Sequence, residues 1–156
     1  MFDEFEFEKK VRDEFEKVFF EEINKIEHSL QMQYQAMNWK YVKTAKRTVI
    51  FPFGEMTLYR KCYKKNNEYI YPLDLYLNLE KKSRFSNGFL YQVANLSTKM
   101  SYREVVETIR LLKGVYITKD TVLKSVQLAQ KLYEEKEDYE YYQEEIAAEK
   151  KEIETL

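Results

Sequence analysis

Lys119, Thr121, Lys124, Ser125 and Lys131 fall within one short segment of a 156-residue chain. Read as a helix, that segment buries Val122, Val126, Ala129 and Tyr133 and leaves the five polar side chains outside. Cations and hydroxyls on one side of a helix can contact phosphates and base edges in a DNA groove. Base-edge contacts would come mainly from the N-terminal half of the helix. Arg60, Lys61, Lys64 and Lys65, then Lys81, Lys82 and Arg84, with Arg103 further on, supply more cations for a sugar-phosphate backbone. If about six phosphates are neutralised, log K should fall with log salt at a slope near −5. Paired amphipathic helices are also common packing units that touch no nucleic acid, and this stretch alone leaves both readings open.

No catalytic constellation accompanies these residues. His28 is the only histidine and Cys62 the only cysteine, too few for a zinc site of the usual ligand types. Cys62 sits in an apolar alternation and reads as a small buried group, while one cysteine excludes an internal disulfide and suits a reducing cytosol. No glycine-rich phosphate loop or nucleophile elbow is present. Carboxylates gather in the end segments as charge runs, which are usually solvated. The expectation is no metal, no cofactor and no enzyme activity of the chain by itself.

The elements that must position the cations follow from spacing. Residues 4–38 carry Val11, Phe15, Ile23, Ile26, Leu30 and Tyr34 at intervals of three and four, which predicts one long helix of about 45 Å. Such length invites pairing with a second copy, so a homodimer through the N-terminal helix is a further partner reading. Lys40 to Arg47 reads as a cationic connector. Thr48–Phe51, Glu55–Tyr63 and Tyr69–Tyr71 then predict a three-stranded antiparallel meander, turning at Pro52-Phe53-Gly54 and around Asn66-Asn67. In the second strand Met56, Leu58 and Cys62 face one way, and Thr57, Tyr59, Lys61 and Tyr63 the other. Asp74 is placed as the cap of a short turn. Three helices follow, at about 86–99, 101–113 and 118–133. Ser101 with Glu104 forms a capping box, Gly114 stops the middle helix, and Thr118 caps the last: the pattern of a helix-turn-helix.

The fold class is therefore α+β, mainly α: a long N-terminal helix, a three-stranded antiparallel meander, and a helical unit with a helix-turn-helix and an acidic C-terminal helix. The segments are 1–40, 41–80, 81–133 and an acidic helical tail or linker at 134–156, most simply a solvated helix extending from the one before it, where Tyr139, Tyr142, Ile146 and Ile153 make a sparse stripe. One compact domain is expected overall. The formal net charge of −1 conceals a pattern. Residues 1–22 carry nine acids and four bases, residues 23–133 eight acids and nineteen bases, and residues 134–156 ten acids and three bases. A basic middle between acidic ends suggests a polyanion partner; equally, the ends could neutralise the centre within the fold. No apolar run approaches the ~20 residues that span a bilayer, and the acidic N-terminus resembles no targeting peptide, so no membrane partner and a cytoplasmic location are expected.

Four consecutive blocks, RTVIFPFGEMTLYRKCY, EYIYPLDLYLNL, SRFSNGFLYQVANLSTKMSYREVVETI and ITKDTVLKSV, resemble the N-terminal half of insertion-sequence transposases of the ISLre type. The matching positions are Thr48, Gly54, Met56, Arg60, Tyr63, Tyr71, Leu73, Asp74, Leu77, Ser101, Tyr102 and Arg103. The resemblance implies a DNA-binding region that recognises transposon-end double-stranded DNA. It also implies a following ribonuclease-H-like domain whose metal-bound carboxylates cut and join DNA. A chain stopping before that domain is expected to bind DNA or self-associate without catalysing transposition. The alternative is a non-catalytic helical protein that dimerises.

Overall fold

A computed structural model gives the structure of the protein. It describes residues 1–155, except for the side chains at 138–140, 142 and 153–155. Among the described residues, five helices and three strands follow the expected order, and the fold class is the α+β arrangement read from the sequence. Contacts divide the chain into two compact units, Met1–Ser86 and Asn87–Leu156, where the sequence suggested one domain.

The first unit begins with α1 (Glu4–Ala36). Asp3 caps it by accepting from the backbone N–H groups of Phe5 and Glu6, as an N-cap carboxylate should. Its 33 residues span roughly 50 Å. From Phe19 onward it is engaged with the core, and one turn earlier Phe15 meets the Phe53 ring at 5.2 Å. Ile23 is buried, with Phe19, Ile26 and Leu30 packed beside it, while Val11, Phe15 and Val18 remain exposed.

Strands β1 (Lys40–Phe51) and β2 (Gly54–Lys65) form a long antiparallel hairpin, and β3 (Glu68–Ile70) completes a sheet in the order β1-β2-β3. The segment Lys40–Arg47 is thus strand rather than connector. It pairs with β2 along its length, interrupted by an irregularity at Tyr41/Lys43. Asn66 and Asn67, both at positive φ, make the tight turn into β3, a conformation asparagine tolerates. Val49, Phe51, Met56 and Leu58 form the core with Ile23 and Leu73. Cys62 is buried as expected, but so is Tyr63, which stacks on Tyr34 instead of pointing outward. Pro72 opens the short helix α2 (Pro72–Tyr76), a position where its missing N–H costs nothing. Asp74 lies inside α2 and does not cap it.

The second unit contains α3 (Asn87–Ser97), α4 (Tyr102–Lys113) and α5 (Lys119–Thr155). Ser101 Oγ accepts from Glu104 N at 3.2 Å, and Gly114 ends α4 in the left-handed conformation at φ 66°. Val115 and Ile117 anchor the connection by burial. Thr118 Oγ1 then accepts from Thr121 N at 3.3 Å and starts α5. Phe89, Val93, Val105, Ile109 and Val122 supply its buried side chains. The last helix runs on through 134–155, so that stretch is the expected extension of the helix before it and not a linker. Glu134, Glu135, Glu137, Glu144, Glu145 and Glu149 are exposed on it. Tyr139, Tyr142 and Ile153, three of the four residues of the sparse stripe, lie outside the described side chains.

Candidate nucleic-acid interface

Helix α5 carries the most coherent set of predicted contacts. Val122 and Ser125 are fully buried and define its inner side. Lys124 and Lys131 are exposed on the opposite side, seven residues or two turns apart, and Lys119 is exposed in the first turn. Between Lys119 and Lys131 the only acid is Asp120, whose carboxylate also suits a helix N-terminus. Thr121 is half-buried, its hydroxyl 3.3 Å from that of Thr118. Ser125 was expected outside and is inside. Its Oγ donates to the Thr121 carbonyl at 2.8 Å, satisfying the hydroxyl within the helix. The buried side of α5 is therefore rotated from the sequence reading: Val122 and Ser125 lie inside, Val126 and Ala129 are half-buried, and Tyr133 is exposed. Arg103 stands exposed on α4 and lines a shallow groove with Glu104 and Glu107.

The first unit does not gather its cations into one open face. Arg60 Nη1 meets Asp74 Oδ2 at 2.5 Å, and its guanidinium lies 4.1 Å from the Tyr71 ring centre. Lys61 Nζ donates to Gln31 Oε1 of α1 at 2.6 Å. Lys64 Nζ sits over the Tyr69 ring, and Lys65 Nζ donates to the Met37 carbonyl at 2.9 Å. These four side chains already have partners inside the fold, which the expectation of phosphate contacts overlooked. Lys81, Lys82 and Arg84 are exposed.

Sequence reasoning missed the trio built around Asp74. The hairpin register sets Arg47 opposite Leu58 and Arg60 opposite Ala45, so both arginines lie on one face of the sheet. There Asp74 Oδ2 accepts from both, at 3.1 Å from Arg47 Nη1 and 2.5 Å from Arg60 Nη1. Arg47 Nη2 also donates to the carbonyls of Glu80 and, at 2.8 Å, Ser83. The side chains are 12% exposed for the arginines and 15% for Asp74. The signal was present, since Arg60 and Asp74 both belong to the blocks that resemble transposases. Arg47 opens the first of those blocks, but it also reads as the end of a connector.

Glu27 is a second buried carboxyl. Its Oε2 accepts from Lys61 N at 3.4 Å. Burial raises its pKa, partly offset by the Lys61 N–H and ammonium, with Asp74 adding to the rise. Burial also pushes the Tyr63 hydroxyl up, helped by the neighbouring Glu27 charge. The folded chain thus holds the Glu27 proton to higher pH than the unfolded chain does. Its stabilising contribution is complete below the ordinary value of 4.5 and is lost as pH rises through the folded value. Glu27→Gln, which keeps an acceptor without the charge, should raise the unfolding midpoint at pH 7. The gap from the parent should close as the pH falls toward 4.5. Thermal melts across that range check this, and an equal or lower midpoint at pH 7 would refute it.

Among the described residues, no helix is long and apolar enough to cross a membrane, and no three His, Cys, Asp or Glu side chains are placed to hold a metal.

Comparison with known proteins places this geometry in a family. Residues 2–153 match the family described as "Uncharacterised protein family (UPF0236)", and the chain belongs to it. A curated relative, the "UPF0236 protein in vanSb 3'region" of Streptococcus gallolyticus, is 30% identical over 101 residues. The match covers 64% of this chain and 22% of the relative, so the chain spans only a fraction of the relative's length. No solved structure matches.

Proposed function

We propose that this UPF0236 chain is the DNA-binding N-terminal region of an insertion-sequence transposase. On this reading it holds transposon-end duplex DNA, and strand chemistry belongs to a separate ribonuclease-H-like domain of the whole protein. The observation that carries the reading is α5, where Lys124 and Lys131 are exposed on the outer side and Lys119 is exposed in the capped first turn. A helix entering the major groove in this way would read base edges from its first turns and hold phosphates further along. The resemblance of the four sequence blocks to transposases of the ISLre type supports the same reading. So does the length of the Streptococcus gallolyticus relative, which extends well beyond the matched region, as a transposase with a further domain would.

Among the predicted contacts in the second unit, the exposed cations are Lys119, Lys124, Lys131 and Arg103. Four neutralised phosphates correspond to a log K against log salt slope of about −3 to −4, shallower than six would give. A titration of terminal-repeat duplex at several salt concentrations should return that slope. No binding at low salt, or affinity indifferent to salt, would refute the proposal.

One observation favours a second reading, dimerisation through α1. Phe5, Val11, Phe15 and Val18 leave a run of apolar surface exposed on its first half. Light scattering combined with the same titration separates the two: a dimer that ignores DNA favours the second.

A further inference from the structure

A cleft of about 640 Å³ opens in the first unit, lined by residues between Arg47 and Arg84. Its cations are Arg47, Arg60, Lys81, Lys82 and Arg84, and Asp74 is the one carboxylate among the lining residues. Asp74 bridges two guanidiniums, so the trio keeps a positive charge while being largely removed from water. A charge held in that way attracts an anion more strongly than the same charge at the surface. Arg47 uses its fork on Asp74 and on two carbonyls. Arg60 does not: its Nη2 has only a 3.5 Å contact to the Lys46 carbonyl, while its Nε and Asp74 Oδ1 are both buried without a partner inside the trio. The weakly used Nη2 is the Arg60 donor left for a ligand oxygen.

We propose that this cleft is a phosphate-binding site, distinct from the α5 face, and that it takes the phosphate of a nucleotide. Arg60 supplies the inner donors, and Lys81, Lys82 and Arg84 close around the phosphate from the rim. A planar guanidinium matches phosphate oxygens with paired N–H bonds, which a point charge does not. Tyr69, Ile70 and Leu75 line the same cleft and give apolar room for the sugar and base beside the charge. The volume lies within the range of small-molecule sites, of roughly 300–1,000 Å³. The phosphate could belong to a nucleic-acid strand or to a free nucleotide. Only the first source rests on the DNA reading above.

Calorimetry on the full chain tests the site. Adenosine 5′-monophosphate should bind at low salt, and adenosine should not. Lys81→Ala combined with Arg84→Ala, both exposed, should weaken that binding by at least about tenfold, since each lost charge-assisted contact is worth over 1 kcal/mol. Lys9→Glu, exposed on the acidic first half of α1, should leave it unchanged. Competition by a 5′-phosphorylated single-stranded oligonucleotide would identify a strand phosphate as the source. Binding without that competition would identify a free nucleotide. The site is refuted if the monophosphate fails to bind, if adenosine binds equally, or if the double variant behaves as the parent. A parent chain that binds the monophosphate but not duplex DNA would overturn the α5 reading and leave the cleft standing.

Discussion

Asp74→Ala should destabilise the first unit by about 3–5 kcal/mol, the scale expected when one partner of a buried ion pair is removed. The effect is large because one carboxylate oxygen serves two arginines. Without it, Arg47 and Arg60 face each other across the sheet, both largely buried, with no charge between them. Their remaining partners, carbonyls and the Tyr71 ring, are neutral and offset little of that repulsion. Asp74→Asn keeps the shape and one acceptor but not the charge, and should cost less than alanine while remaining clearly destabilising. Trp39, the only tryptophan, lies in this unit, so its fluorescence in a denaturant titration follows the relevant transition. A change below about 1 kcal/mol, the level of an ordinary surface ion pair, would show that the trio is solvated and contributes little.

The second large effect concerns binding. Lys119→Glu combined with Lys124→Glu replaces two attractions to phosphate by two repulsions. The loss in duplex affinity at low salt should be on the order of 100-fold, and it should shrink as salt rises. Folding should not suffer, because both side chains are exposed and a glutamate in the first turn of a helix is favourable. Fluorescence anisotropy with labelled duplex measures the affinity, and circular dichroism checks the helices. Unchanged affinity in a folded double variant would remove α5 from the interface.

How far the fold was legible depends on the range of the interactions that settle each element. The helix-turn-helix boundaries rest on local chemistry. Ser101, Gly114 and Thr118 act on neighbours within four residues, and the structure places each where its side chain or φ angle directed. The long α1 was equally plain, since its periodic stripe needs no partner to be recognised. Strand β1 was only half legible. Lys40 to Arg47 shows no apolar alternation because most of it is exposed, and its strand character comes from pairing with β2. Ser125 illustrates a different limit. A hydroxyl can satisfy itself on the Thr121 carbonyl and enter the core, so polarity alone misplaced the helix face.

The candidate site was legible in parts for the same reason. Lys124 and Lys131 follow from helical spacing. The fates of Arg60, Lys61 and Lys65 are decided by Asp74, Gln31 and Met37, at sequence separations of 14, 30 and 28 residues, and composition does not reveal those partners. A cation count therefore overstated the surface available to DNA. It also concealed the cleft, whose charge comes from both ends of that same long-range arrangement.

Lysine footprinting tests the DNA-binding claim most directly. The full chain is acetylated briefly with and without saturating duplex, and each lysine's reactivity is read by mass spectrometry. Lys119, Lys124 and Lys131 should be protected by DNA, while Lys9 and Lys10, exposed on the acidic first half of α1, should react as before. Unaltered reactivity along α5 in the presence of bound duplex would contradict the account.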